Sequence, residues 1–289
     1  MKLATYQGVD GDRLGLVVGE GLVSLLDHLP NAPRRMIDLI ERWDEFRDQV
    51  AGLQSRSPDL KLSEVRLRAP IPRPGKIMAI GLNYKDHIEE ADSETPVFQT
   101  WFAKAPTSVT GPFDPIALPT VSDRLDYEAE LVAIIGRRVR GVSGDQAKAA
   151  IFGFCVGDDV SVRDWQIRVS QWVVGKSFDT HAPFGPWITT ADETDGRNLA
   201  IRCLVNGEVR QSSSTGQLLF DCYAQVEHLS QAMTLEPGDV LYTGTPGGVG
   251  HARKPQVFLK AGDVVRVEIE KLGAIENRVA AEPPTGFPG

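Results

Sequence analysis

Glu128 and Glu130 stand two residues apart in the run LDYEAELVAIIG (125–136), whose β-branched tail reads as a buried strand. Side chains alternate along a strand, so both glutamates share a face with Val132 and Ile134. Their Cα atoms are then roughly 6.6 Å apart, close enough for both carboxylates to reach one cation. With no cation there, two like charges on a half-buried face repel each other and lose hydration, unless that face meets solvent. A second apolar run, Phe152–Gly157, ends in Asp158-Asp159. Glu128, Glu130 and one of these two aspartates fit a site for a hard cation, and spacing alone does not choose between Asp158 and Asp159. Carboxylates without His or Cys pairs favour Mg²⁺ or Mn²⁺ over Zn²⁺. Three protein oxygens fill half an octahedron and leave room for water and a chelating 2-oxo acid or 1,3-dicarbonyl compound. A metal held there would act as a Lewis acid for an enolate formed when a carbon–carbon bond breaks or a proton leaves.

Other residues could complete such a site. If the chain turns helical near Asn83, His87 and Glu90 lie three apart on one face, where the Glu can orient the imidazole and make it a better proton acceptor. A surface His beside acids is equally a commonplace of solvated helices. Lys104 closes an aromatic strand, and with Arg163 and Lys176 it could offset a substrate carboxylate and the acidic cluster. The stretch DDVSVRDWQ (158–166) packs acid, hydroxyl, cation and amide behind an apolar strand, a common setting for catalytic loops. The turn Thr243–Gly250 lacks the Lys of a phosphate-binding loop and does not match GxGxxG. It reads either as a backbone cradle for an anion or as a structural turn. Residues 89–97 are polar and could form a mobile cover.

The elements that must position these groups are mostly strands. Short strands with Asp-Gly and Gly-Glu-Gly turns fill residues 2–25, and one amphipathic helix from Pro33 to Gly52 follows, with Met36, Leu39, Ile40, Trp43, Phe46 and Val50 on one side. Leu60 to Leu67 suggests strand, and the Pro-rich stretch 69–75 is a stiff linker. A boundary there gives a small N-terminal domain, 1–69, and a catalytic domain, 70–289. Ser143 with Gln146 is a capping-box pattern for a helix to Ile151. Asn206-Gly207 marks a hairpin, and 221–233 reads as a helix packed on the sheet. The tail 281–289 reads as frayed.

Composition bounds the function. The chain of 289 residues is 42% hydrophobic and 24% charged, as ordinary globular proteins are. A net charge of −8 argues against nucleic acid or anionic membrane as partner, and no apolar run approaches the ~20 residues of a membrane helix. The first residues lack the apolar segment of a secretory signal, and Cys155, Cys203 and Cys222 show no CxxC spacing. The expected compartment is the cytoplasm, with the thiols buried and inert.

The chain resembles the fumarylacetoacetate hydrolase family, in its broad bacterial branch with a short N-terminal extension. The matching runs are GLNYKDH (81–87), LDYEAELVAIIG (125–136), GDDVSVRDWQ (157–166), GKSFDTHAPFGPW (175–187), VNGEVRQ (205–211) and LEPGDVLYTGTPGGVG (235–250). The resemblance implies an α+β, mostly β fold, a mixed β-roll or β-sandwich with few helices and a small α+β N-terminal domain. It also implies a homodimer and an active site under a lid after the NYxDH segment. It assigns the metal, Mg²⁺ or Mn²⁺, to Glu128, Glu130 and Asp159. His87 takes the place of the base that activates water, with Glu90 as its partner. Lys176 matches a substrate-facing lysine, Arg163, Gln166 and Thr245 match residues that line or brace the site, and Lys104 matches a lysine common there. Members of the family hydrolyse acylpyruvates, decarboxylate oxaloacetate or isomerise unsaturated 2-oxo dicarboxylates. The expected reaction is hydrolysis of a carbon–carbon bond in a small 2,4-dioxo acid through a metal-bound enolate. Decarboxylation or isomerisation of a 2-oxo dicarboxylate on the same site is the alternative.

Overall fold

Apolar runs punctuated by Gly and Asn-Gly turns become strands in the computed structural model, which describes residues 1–282. In chain order they are β1 (Lys2–Gly8), β2 (Gly11–Val18) and β3 (Gly21–Ser24), then the short helices α1 (Leu25–His28), α2 (Met36–Glu41) and α3 (Trp43–Gly52). Next come β4 (Leu60–Lys61), β5 (Ile77–Gly81), α4 (Lys85–Glu90), β6 (Thr100–Lys104), β7 (Val109–Thr110), β8 (Ile116–Leu118), β9 (Leu125–Asp126) and β10 (Ala129–Ile135). They are followed by α5 (Gly144–Ala149), β11 (Ile151–Asp158), β12 (Ser161–Val162), α6 (Arg163–Gln166) and β13 (Ala182–Thr190). The last third supplies β14 (Ala200–Val205), β15 (Glu208–Ser214), α7 (Cys222–Ala232), β16 (Val240–Tyr242), β17 (Val264–Ile269) and β18 (Gly273–Ala281). The fold is mostly β with few helices. No helix of the described residues is long and apolar enough to cross a membrane.

The large mixed sheet runs β4-β3-β2-β1-β13-β11-β10-β16-β5-β6, with β7 attached to β13; a second sheet runs β15-β14-β17-β18-β8. The N-terminal meander therefore joins the large sheet through the β1–β13 pairing. β10 lies inside that sheet and is buried throughout. Its odd positions, Leu131, Ala133 and Ile135, pack with β14, β17, β18 and α7, while Val132 and Ile134 pack toward β1, β13 and α3. Both faces are thus covered, and polar side chains are admitted only at the strand's end, where Glu128 and Glu130 sit.

Three local expectations differ. The helix expected from Pro33 to Gly52 is two helices, because Arg42 leaves helical geometry at φ −104°, ψ 21°. The break accompanies the edge-on packing of Trp43 on Phe152, with ring centroids 5.0 Å apart. Strand structure after residue 60 is limited to Leu60–Lys61, followed by a turn of 3₁₀-helix at Leu62–Glu64. Ser143 makes no side-chain cap for α5; its backbone carbonyl accepts from the Gln146 amide instead. Of the tail, Ala281 closes β18, and 283–289 lie outside the described residues.

Candidate active site and metal centre

Antiparallel register decides what spacing left open between the two aspartates. Ala129 pairs with Asp158 and Glu130 with Gly157, and one step further the Asp159 amide donates to the Glu128 carbonyl at 2.9 Å. Residues paired across strands share a face. Asp159 therefore joins Glu128 and Glu130, whereas Asp158 goes with Ala129. Carboxylate oxygens of Glu128, Glu130 and Asp159 lie within 4.8 Å of one another, and all three residues are buried.

Buried cations partly offset this cluster. Lys176 Nζ donates to Glu128 Oε2 at 2.7 Å and to Asp159 Oδ2 at 2.9 Å, and Lys104 Nζ donates to Asp159 Oδ1. Arg163 places Nη1 2.6 Å from Glu128 Oε1 and 3.0 Å from Gln166 Oε1, while its Nε donates to Asp126 at 2.8 Å. Burial alone would raise the Glu128 carboxyl, but Lys176 and Arg163 outweigh it and hold the group below the usual range. Glu130 is different. It accepts one hydrogen bond, 2.7 Å from the Gly244 amide, and forms no ion pair among the described residues. Burial first, then repulsion from Asp159 and Glu128, pushes its carboxyl well above the usual range. Asp158 is pushed up to about 7, mainly by burial.

The donor set fits a divalent cation. Five buried carboxyl groups (Asp126, Glu128, Glu130, Asp158 and Asp159) meet three buried cations, Lys104, Arg163 and Lys176. Fully ionised, the cluster has two more negative than positive charges, and Glu130 lacks a positive partner. An ion with hard-oxygen preference would supply both.

Above the cluster opens a cavity of about 580 Å³, walled by Glu128, Lys176, Arg163, Gln166, Thr245, His87 and Glu90. The sequence-selected residues therefore converge, with Glu130, Asp159 and Lys104 buried within the cluster. His87 Nδ1 lies 3.4 Å from Glu90 Oε2. Burial tends to raise the Glu90 carboxyl, but His87 and the Gly248 amide bring it below its ordinary value. Thr245 is braced by Gln211, whose Nε2 donates to Thr245 Oγ1 at 2.8 Å.

The glycine-rich turn resolves toward the structural reading. Its amides are spent on the protein's own carboxylates: Gly244 on Glu130, Gly248 on Glu90 at 2.9 Å, and Gly250 on Asp126 at 2.8 Å. A Cβ at Gly248 (φ +107°) would lie 2.1 Å from the Arg210 carbonyl oxygen, so only glycine fits the approach. Sequence reasoning missed Asp126, Gln211 and His251. Asp126 accepts from Arg163, Gly250 and His251, and only long-range pairing brings those donors together. Burial and the nearby Arg163 hold His251 below its ordinary value.

A family model described as fumarylacetoacetate (FAA) hydrolase C-terminal matches residues 76–280. The chain belongs to the fumarylacetoacetate hydrolase family. It is 42% identical over 287 residues to the oxaloacetate tautomerase FAHD2A, mitochondrial, of Bos taurus, covering 96% of this chain and 91% of that protein. Among solved structures, maleylpyruvate hydrolase from Sphingobium sp. SYK-6, in complex with manganese (II) ion and pyruvate, superposes with a TM-score of 0.84 at 32% identity. That match covers 98% of this chain and all of the other. The 5-carboxymethyl-2-hydroxymuconate delta-isomerase of Mycobacterium smegmatis does so with a TM-score of 0.78 at 35% identity, over 98% of this chain and all of that one. This family member is thus an enzyme of a scaffold whose relatives include tautomerases, isomerases and hydrolases.

Proposed function

We propose that the protein moves a proton on a small 2-oxo dicarboxylate, interconverting its enol and keto forms as an oxaloacetate-type tautomerase. The observation that carries this reading is His87 on the wall of the same cavity as Glu128, with Nδ1 turned to Glu90. A Glu90 carboxylate favours the tautomer with the proton on Nδ1, which leaves the Nε2 lone pair free to accept. Enol-to-keto conversion transfers one proton from the C2 hydroxyl oxygen to C3 and leaves the formula unchanged. A group that accepts at oxygen and donates at carbon suffices, and His87 has that capacity. Glu128, Glu130 and Asp159 would hold Mg²⁺ or Mn²⁺, which supplies positive charge beside the reacting oxygen. Arg163 and Lys176 would face the substrate's 2-oxo carboxylate end, and Gln166 and Thr245 would fix its orientation.

Identity to the tautomerase relative over nearly its whole length favours this reading over the hydrolysis expected from sequence. Hydrolysis of a 2,4-dioxo acid is the second reading, favoured by the same dyad and by the likeness to maleylpyruvate hydrolase. There His87 would take a proton from water, and the resulting hydroxide would attack the distal carbonyl at C4. The C3–C4 bond would then break, releasing one carboxylic acid and the enolate of the 2-oxo acid, which would regain the proton at C3. Residues 1–69 are proposed as a unit docked through β1, and the protein as a cytoplasmic homodimer; its three cysteines are free and buried, in keeping with a reducing compartment.

The test follows enol-oxaloacetate by NMR with Mg²⁺, beside an acylpyruvate. Tautomerisation should exceed the metal-only background and collapse in His87→Ala. Cleavage of the acylpyruvate with no effect on the enol would transfer the assignment to hydrolysis. Inertness toward both would remove both readings.

A further inference from the structure

The buried cations of the site are already committed to carboxylates, but the outer wall of the cavity carries two groups that are not. Lys254 faces the cavity, is exposed, and forms no ion pair among the described residues. His251 lines the same wall. Gln256 Nε2 lies 3.0 Å from His251 Nδ1 and also donates to the His251 carbonyl at 2.8 Å. An amide nitrogen has only hydrogens to offer, so Nδ1 is the acceptor and Nε2 carries the imidazole proton.

This wall is rigidly tied to the inner site. Asp126 is fully buried and accepts from the His251 amide at 2.9 Å, from the Gly250 amide at 2.8 Å and from Arg163 Nε at 2.8 Å. One carboxylate therefore sets the position of the inner guanidinium and of the outer histidine backbone together. Arg163 Nη2 is buried and has no hydrogen-bond partner among the described residues.

We propose that His251 and Lys254 form a subsite for a second carboxylate, making the enzyme selective for dicarboxylates over monocarboxylic 2-oxo acids. This deepens the proposed function and rests on it for the placing of the 2-oxo end against Arg163 and Lys176. The His251 Nε2–H donates one hydrogen bond to the distal carboxylate and Lys254 supplies the charge. Asp126 fixes the interval between the two ends, so the second carboxylate binds without reordering the wall.

Calorimetry on the Mg²⁺-loaded full chain tests this without turnover, using malate and lactate as unreactive 2-hydroxy acids with and without the second carboxylate. Wild-type protein should bind malate at least tenfold more tightly than lactate. Lys254→Met should shrink that ratio about tenfold, Lys254→Arg should keep it, and His251→Phe should reduce it. Equal affinity of the wild type for the two acids, or a ratio unmoved in Lys254→Met, overturns the subsite. If the malate preference and its loss in Lys254→Met appear while enol-oxaloacetate is left untouched, the subsite stands and the tautomerase reading fails. Lys254 lies at the surface, so its variants test recognition and not folding.

Discussion

Polar groups buried without full compensation set the chemistry of this protein at the scale of single residues. Glu130 is the sharpest case at the site, and His181 is its counterpart in the supporting structure. His181 Nε2 lies 2.8 Å from the Ala117 carbonyl oxygen, its Nδ1 is buried with no partner among the described residues, and the ring stacks on Phe178 with centroids 5.5 Å apart. Burial pushes the imidazole down from 6.5 to about 4. Its folded-state pKa is thus below its unfolded value, so the unfolded chain takes up a proton first as pH falls. The penalty is absent above about 6.5, grows between there and about 4, and reaches on the order of 3 kcal/mol. Urea unfolding at neutral pH and near pH 4.5 should show that loss, and His181→Gln should be less sensitive to acid over the same interval. An equal slope in the variant would mean that other groups bind the protons.

At the scale of elements, the glycine-rich turn between β16 and the 3₁₀ turn at Gly250–Ala252 works as an internal anion cradle. Its amides hold Glu130, Glu90 and Asp126, so one loop positions a candidate metal ligand, the partner of the candidate base and the anchor of Arg163. Gly250 is the point of least tolerance, since a Cβ there would lie 1.9 Å from the Val257 carbonyl oxygen and 2.7 Å from Asp126 Oδ1. Backbone atoms cannot swing aside as a flexible side chain can. Gly250→Ala should therefore cost about 2 kcal/mol or more and release Arg163 from its anchor. A lowered urea midpoint with reduced activity at low denaturant is the expected result; wild-type values for both would show that the loop is slack. The sequence left this turn open between ligand cradle and structural loop, because the carboxylates it serves come from 86–130 and are joined to it only by the fold. The strand period, by contrast, was fully readable: two-residue alternation put Glu128 and Glu130 on one face, and the same alternation, once the β10–β11 register is known, selects Asp159. The helix break at Arg42 was not readable, since apolar spacing continues through it and only packing of Trp43 on Phe152 marks the turn.

At the scale of the whole molecule, a sheet buried on both faces holds an acidic cluster with two more negative than positive charges when fully ionised, at the ends of its central strands. That arrangement links stability to an ion. A divalent cation that binds the folded chain and not the unfolded one stabilises it by about 2.7 kcal/mol at a hundred times its dissociation constant. Relief of repulsion among Glu130, Glu128 and Asp159 enters through that constant, so at one given ion concentration the gain should exceed that of a surface carboxylate site. Chelation should lower the unfolding temperature and Mg²⁺ or Mn²⁺ should restore it. Glu130→Gln separates the two contributions: a neutral amide relieves the repulsion in the metal-free protein, so the variant should be at least as stable as chelated wild type. It should also lose a ligand and no longer respond to metal. Scanning both proteins with and without metal reads all four states, and a Glu130→Gln protein that gains as much from Mg²⁺ as the wild type would place the cation elsewhere.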